Sequence, residues 1–329
     1  MAANHVGIPT TTSFSTVNRA CASGLSAITS IGNAIAVGQI DIGIAGGMES
    51  MTRNYGSRAI PTELWPEMKD SSVKQAKDCI MSMGITSENV AERYGVNRAD
   101  QDAFAAQSQK RAAAAQAAGR FDEEIVPVTT RWVEPENPET AKEITVTKDD
   151  GIRANTTLEK LASMKPAFKS DGTSTAGNSS QVSDGASAAL MMRRSTATAL
   201  GLESYILGKW AGTQVVGCQP DEMGVGPALA IPKLLDYRGI ETSDVQLWEI
   251  NEAFAVVAEK FIRDLDLDRD KVNVNGGSIA LGHPIGATGA ILIGTIVDEL
   301  ERQQKRYGLV TMCAAGGMAP AIIVERVDG

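Results

Sequence analysis

Histidine is nearly absent from this 329-residue chain, which carries only His5 and His283. Any chemistry that needs an imidazole must use one of the two, and His5 sits at a terminus that can fray. Cysteine is scarce as well. Cys21, Cys79, Cys218 and Cys313 lie far apart with no CxxC spacing, which excludes a disulfide-dense secreted scaffold and argues against a zinc site. No run approaches the roughly 18 apolar residues of a membrane helix. There is no Lys/Arg block, and 31 basic against 40 acidic residues give a net charge of −9, which argues against a nucleic-acid platform. An anionic ligand must therefore be held by a few local basic groups. The opening MAANHVGIPT has neither a basic n-region nor an apolar h-region, so no signal peptide is visible and a reducing compartment is the default. The closing ERVDG carries no readable address.

What is present is ordinary for a globular protein: 43% apolar, 22% charged and 5% aromatic residues. At this length one core does not grow alone, and two or three subdomains are expected. Two glycine-rich, apolar regions, about 15–52 and most of 202–327, flank a polar middle that includes the solvated segment 134–140. The middle holds one strongly patterned helix, opened by Asn97 as cap and stopped at Gly119, and a shorter one over 88–94 capped by Ser87 and ended by Gly95.

The outer regions resemble each other. In the first, a small-residue turn at Cys21-Ala22-Ser23-Gly24 precedes the apolar helix LSAITSIGNAIAVG, then a strand DIGIAG closing on Gly46-Gly47-Met48. In the second, Gly282-His283-Pro284-Ile285-Gly286 precedes ATGAILIGTIVDELE, then a strand YGLVTMCAA closing on Gly316-Gly317-Met318. Helices apolar on nearly every face are expected to lie sandwiched inside the molecule, and short apolar strands to be covered on both faces. The pattern predicts an α/β protein with two similar halves in α/β/α/β/α layers and a helical, loop-rich excursion between them.

Such a duplication brings two helix N-termini to one pseudo-symmetric place, with Cys21 at one and His283 at the other. Unpaired N–H groups and the helix dipole there are expected to lower the Cys21 pKa. Two readings stand side by side: a nucleophilic cysteine with an imidazole in reach, or a small buried cysteine beside a core histidine. The surrounding Ala, Gly and Ser, which let a ligand approach the backbone, favour the first.

TVNRACASG at 16–24, NEAFA at 251–255, GGSIALGHPIG at 276–286 and CAAGGM at 313–318 resemble the signatures of thiolases. With TAGNSSQVSDG at 175–185 the resemblance covers essentially the whole chain. MGITSENVAER at 83–93 and EEIVPVTT at 123–130 are most similar to the eukaryotic peroxisomal 3-ketoacyl-CoA thiolases. The resemblance implies the thiolase-like duplicated fold, divided as an N-terminal half over 1–52, a loop domain over 53–174, a return strand and helix over 175–201, and a C-terminal half over 202–329. It implies thiolytic cleavage of 3-ketoacyl-CoA by CoA, as in fatty-acid β-oxidation. Cys21 would be the nucleophile and His283 its activator. Asn251 would hold a water in the first oxyanion hole, and Cys313 would act as acid and base. The backbone N–H groups of Cys21 and Ala315 would form the second oxyanion hole. Ser180, Arg153 and Met164 would meet CoA, Arg153 having an ordinary surface charge as an equal alternative. Phe254 is grouped with them, packing below the site. Cys79 and Cys218 are expected to be structural.

The chemistry agrees with that list. Cleaving a 3-ketothioester needs a soft nucleophile, two anion-stabilising pockets and an acid/base with a pKa near neutrality. No metal and no cofactor are expected, CoA being a substrate. A histidine in place of Cys313 would instead suggest a decarboxylating ketoacyl synthase. Ser82, where biosynthetic acetoacetyl-CoA thiolases often carry histidine, leans toward the degradative type. That biosynthetic activity is the alternative, followed by a truncated, non-catalytic acyl-CoA-binding protein. The second alternative arises because, in the family, a stretch with the first strand and helices precedes the equivalent of Met1. The first half of the duplication is therefore expected to be incomplete, leaving apolar faces uncovered. Ala315 stands where many relatives have glycine, which requires a negative φ. A homodimer or dimer of dimers is implied, and the peroxisome by resemblance, with the cytoplasm as the other compartment.

Overall fold

The structure, a computed structural model, describes residues 1–54, 64–134 and 137–327. Helix α1 (Ser23–Ala36) leads into strand β1 (Ile42–Ser50). Helices α2 (Met83–Tyr94) and α3 (Arg98–Ala117) follow, then a hairpin of β2 (Val128–Glu134) and β3 (Asn137–Val146). Strand β4 (Asp184–Met192) returns to pair antiparallel with β1, Ile42 opposite Met192 and Ser50 opposite Asp184. The remainder comprises β5 (Lys209–Gly217), α4 (Gly226–Arg238), β6 (Leu247–Ile250), α5 (Ala255–Asp264), α6 (Thr288–Arg302), β7 (Tyr307–Thr311) and β8 (Met318–Glu325). These strands form one sheet in the order β5-β8-β7-β6, with β6 and β7 parallel and the other pairs antiparallel.

Local signals explain the helix limits. The Asn97 side chain accepts from the Asp100 N–H at 2.9 Å and opens α3, and Gly95, at φ 65°, closes α2. Helix α2 starts earlier than the 88–94 span expected, because Ser87 is not its cap. Ser87 is buried and its hydroxyl pairs with Ser174 at 2.7 Å. Its neighbour Glu88 accepts the N–H groups of Thr173 and Ser174 at 2.8 Å. Both side chains serve the loop that precedes Ser180. Of the solvated segment 134–140, Pro135 and Glu136 lie outside the described residues, and Glu134, Asn137, Glu139 and Thr140 are exposed strand ends.

Helices α1 and α6 lie side by side between the two sheets, α1 against β1 and β8, α6 against β1, β4, β6 and β7. Helix α4 covers the far side of the four-stranded sheet, and α5 joins it in a core with Trp248, Ile250 and Leu309. The other side of that sheet shares a second core with Leu25, Leu292, Ile296 and Leu300. Helix α6 is enclosed as expected, but α1 buries one stripe only: Gly24, Leu25, Ser26, Ile28 and Gly32. No described helix covers the outer face of the β1–β4 sheet, where Ile42, Ile44, Met48 and Leu190 are 45–67% exposed.

Where α1, α6 and β1 converge, backbone meets backbone. A Cβ on Gly47 would lie 1.8 Å from the Gly286 carbonyl oxygen, and one on Gly289 2.3 Å from the Leu25 nitrogen. Only glycine permits that approach. The duplicated Gly-Gly-Met letters therefore do different work in the two halves. Gly46 and Gly47 continue β1, whereas Gly316 and Gly317, at φ 83° and 80°, form the turn into β8.

Candidate active site

Cys21 is delivered by a strained turn just ahead of α1. Ala20 takes a left-handed conformation, φ 47°, which costs a residue with a Cβ about 1–2 kcal/mol. Local bonds hold it there: Asn18 Oδ1 accepts from the Ala20 N–H at 2.9 Å, and the Ser23 hydroxyl donates to the Ala20 carbonyl at 2.7 Å. Strain held by its surroundings is characteristic of functional positions. Cys21 itself is 2% exposed.

The expected lowering of the Cys21 pKa is not found. Its own N–H and that of Ala315 both bond the sulfur and favour thiolate, but burial outweighs them and pushes the thiol up to about 11. Helix α1 begins at Ser23, two residues beyond Cys21, so the two amides act on the sulfur inside an apolar enclosure rather than at a solvated helix end. Cys313, fully buried after β7, is also held well above its usual value, by burial first and then by the neighbouring Cys21 and Cys218. The two cysteines expected to act together are thus close enough to repel as thiolates. Ala315 is not among the residues with positive φ, so its N–H reaches Cys21 from an ordinary conformation.

His283 and Asn251 meet directly, Asn251 Nδ2 to His283 Nε2 at 3.2 Å. Burial depresses the His283 pKa to about 4, so the imidazole is neutral at physiological pH. Asn251 follows β6, and Glu252 beside it anchors the loop that carries His283. The Glu252 carboxylate accepts from Ser108 Oγ at 2.6 Å, Asn273 Nδ2 at 2.7 Å and the Ile279 N–H at 3.1 Å.

These two shifts set a pH window for stability. His283 ionises near 6.5 when unfolded but only near 4 when folded, so its contribution is present above 6.5 and is lost as pH falls through 4, roughly 3 kcal/mol in all. Cys21 ionises near 9.0 unfolded and about 11 folded, so its contribution is lost as pH rises from 9 through 11. Because Glu124, pushed up to about 7 by burial, acts in the opposite sense over the acid range, the acid loss is read as the difference in denaturant midpoint between wild type and His283→Gln, which should shrink as pH falls from 6.5 through 4. A difference that stays constant over that range would contradict the buried, neutral imidazole.

The residues expected to meet CoA gather beside this site. The Ser180 N–H donates to the Ala253 carbonyl at 3.0 Å. Phe254, 8% exposed, packs edge-on to Phe168 with ring centroids 5.8 Å apart. Met164 is half-exposed, its sulfur against Gly177. Arg153 is exposed and reaches Gln181 Oε1 at 3.3 Å, while the Gln181 carbonyl accepts from the His283 N–H at 3.1 Å. Cys79 is exposed, and Cys218 is half-buried next to Cys313. Among the described residues no three His, Cys, Asp or Glu side chains converge to hold a metal, and no helix is long and apolar enough to cross a membrane.

Sequence reasoning missed Thr288, Ser278 and Glu252. The hydroxyl of Thr288 lies 2.6 Å from His283 Nδ1, and Ser278 Oγ donates to Asn251 Oδ1 at 2.6 Å. The signal was their place inside or next to the two motifs, as small polar residues in otherwise apolar runs.

Comparison with known proteins shows the family. Residues 1–195 match the family described as thiolase, N-terminal domain, and residues 204–326 match thiolase, C-terminal domain. The chain is 51% identical to the peroxisomal 3-ketoacyl-CoA thiolase of Homo sapiens, over 97% of this chain and 73% of that protein. It is 50% identical to the peroxisomal 3-ketoacyl-CoA thiolase of Yarrowia lipolytica, over 97% and 75%. The crystal structure of the dimeric peroxisomal thiolase of Saccharomyces cerevisiae superposes with a TM-score of 0.89 at 45% identity, covering 99% of this chain and 79% of that one. Matches to both family halves place the chain in the thiolase family.

Proposed function

We propose that the protein is an acyltransferase of the 3-ketoacyl-CoA thiolase type, cleaving 3-ketoacyl-CoA with CoA to acetyl-CoA and a shortened acyl-CoA. The observation that carries this reading is the pair of buried cysteines, Cys21 and Cys313, close enough that a charge on Cys21 opposes one on Cys313, in a chain that also holds the buried His283–Asn251 pair. The relatives' names point the same way.

In the first half-reaction Cys21 Sγ attacks the 3-keto carbonyl as its proton passes to His283 Nε2. A neutral imidazole is the form that can accept it. Nε2–H then becomes a donor to the new oxyanion, together with a water held by Asn251. The C2–C3 bond breaks, its electron pair staying on C2 of the departing enolate. Cys313 protonates C2, releasing acetyl-CoA and leaving acyl-Cys21. In the second half-reaction Cys313 takes the proton of the incoming CoA thiol. The sulfur adds to the acyl carbonyl, whose oxyanion is held by the N–H groups of Cys21 and Ala315, and Cys21 leaves as thiolate, recovering its proton from His283 Nε2. The coupling of the two cysteines suits this exchange, since a proton on one makes the loss of a proton from the other easier. Ser180 and Arg153 would touch the pantetheine and nucleotide, Met164 would line the same channel, and Phe254, packed edge-on to Phe168, would support it from below. Ser82, the N-cap of α2, favours the degradative over the biosynthetic direction. By kinship with the dimeric yeast enzyme and the peroxisomal relatives, a homodimer acting in the peroxisome is proposed.

Incubation with acetoacetyl-CoA, followed by mass spectrometry and size-exclusion chromatography, tests the proposal. An acetyl group on Cys21 of a dimer supports it, and a folded dimer without an adduct refutes it. In Cys313→Ala, acetylation of Cys21 should remain measurable while thiolysis falls about a thousandfold, because one acid/base group serves both half-reactions. Turnover within tenfold of wild type would require another acid/base.

A further inference from the structure

The hydrogen bonds around His283 form a chain in which every member donates onward. Ser278 Oγ donates to Asn251 Oδ1 at 2.6 Å, and because that oxygen only accepts, the Asn251 amide must turn its Nδ2 toward the histidine. Asn251 Nδ2, a donor only, stands 3.2 Å from His283 Nε2, which must therefore present its lone pair. The other ring nitrogen, Nδ1, then carries the proton and gives it to Thr288 Oγ1 at 2.6 Å. Thr288 has one hydroxyl proton, and it goes to the Pro284 carbonyl at 3.1 Å. Its oxygen is left as an acceptor facing Nδ1. All the side chains involved are buried, Ser278 at 4%, Asn251 at 0%, His283 at 5% and Thr288 at 2% exposure.

We infer that Thr288 is the positioning residue that locks His283 in the Nδ1–H tautomer, leaving Nε2 as the base for Cys21. The argument rests on the proposed function for the role of Nε2, while the tautomer itself rests on the bonds alone. Thr288 is suited to the task by its place. It is the first residue of α6, five residues after His283, and its N–H donates to the same Pro284 carbonyl at 3.0 Å. The GHPIGAT turn thus closes on itself and presents one oxygen to the ring. Removing the hydroxyl leaves Nδ1–H buried without a partner, a cost that the other tautomer avoids when the Asn251 amide turns its oxygen to Nε2–H and its Nδ2 to the Ser278 hydroxyl. In that state the ring cannot take a proton from Cys21.

The chain has only two histidines, so the tautomer can be read directly. The protein, labelled with 15N-histidine and carrying His5→Gln to leave one signal source, should show a protonated Nδ1 and a bare Nε2. Thr288→Val keeps the shape and removes the oxygen. It should populate the Nε2–H form and slow acetylation of Cys21 by acetoacetyl-CoA by about tenfold to a hundredfold, the usual range for a group orienting a functional histidine. Thr288→Ser should restore both the tautomer and the rate. A wild-type protein with the proton on Nε2, or a folded Thr288→Val with unchanged tautomer and rate, overturns the inference. A wild-type protein that shows the Nδ1–H form yet never acetylates Cys21 overturns the proposed function and leaves the tautomer lock standing.

Discussion

Cys21→Ser should lose on the order of 10⁴-fold or more in thiolysis while still folding and binding CoA. The replacement is nearly isosteric, so packing around α1 is kept. The chemistry is not, because a hydroxyl ionises several units above a thiol and the partner imidazole, held near 4, is a weak base in this enclosure. Proton transfer from Cys21, held near 11, is already uphill before substrate arrives. It proceeds because carbonyl attack and oxyanion bonding accompany it. Moving the donor to a still higher pKa removes that margin, and removal of a nucleophile commonly costs this much. Steady-state thiolysis, with CoA affinity measured by calorimetry on the same sample, gives the answer. Activity within tenfold of wild type would take the nucleophile's role away from Cys21.

The second large effect is structural. Gly47→Ala places a methyl group 1.8 Å from the Gly286 carbonyl oxygen, against backbone that no rotamer can relieve. Overpacking against movable side chains costs about 1–3 kcal/mol, and here β1 or the start of α6 must shift instead, so a loss of about 3 kcal/mol or more is expected. Because Gly286 lies three residues from His283, the variant that survives should also acylate Cys21 poorly. Gly46→Ala is a weaker control, its nearest neighbour being the Ser187 carbonyl at 2.4 Å across β1 and β4. Thermal unfolding of the two variants tests the ranking. Wild-type stability in Gly47→Ala would mean that the glycine seam does not set the approach of α1, α6 and β1.

Much of this was legible in the sequence, for identifiable reasons. The apolar helix after His283 announces a buried element and the Gly-rich turns announce close backbone approach, but the equally apolar helix after Cys21 buries one stripe only. The four proposed site residues stand out in the sequence because each lies in a short, dense motif. What could not be read arises from burial. Helix dipoles and N–H groups argue for a thiolate at Cys21, and those groups are present, but enclosure reverses their sum, and enclosure is a property of the assembled layers. Ser87 looks like a helix cap by local pattern, yet it is spent on Ser174, nearly ninety residues away. The repeated Gly-Gly-Met gives no hint that one copy runs along a strand and the other turns a corner, since the letters fix only what the backbone is permitted. Thr288 and Ser278 went unnoticed because hydroxyls in apolar runs gain meaning only once their acceptors are placed.

The protonated state of Cys21 has a consequence for the life of the protein between turnovers. Oxidants such as peroxide and small alkylating agents react with thiolate, and a thiol buried at 2% exposure with a pKa near 11 offers almost none at neutral pH. The enclosure that makes the resting site sluggish therefore also preserves it. In the proposed mechanism reactivity is released by a substrate that fills the site and supplies the carbonyl, so Cys21 would be kept inert in storage and armed by its own cargo.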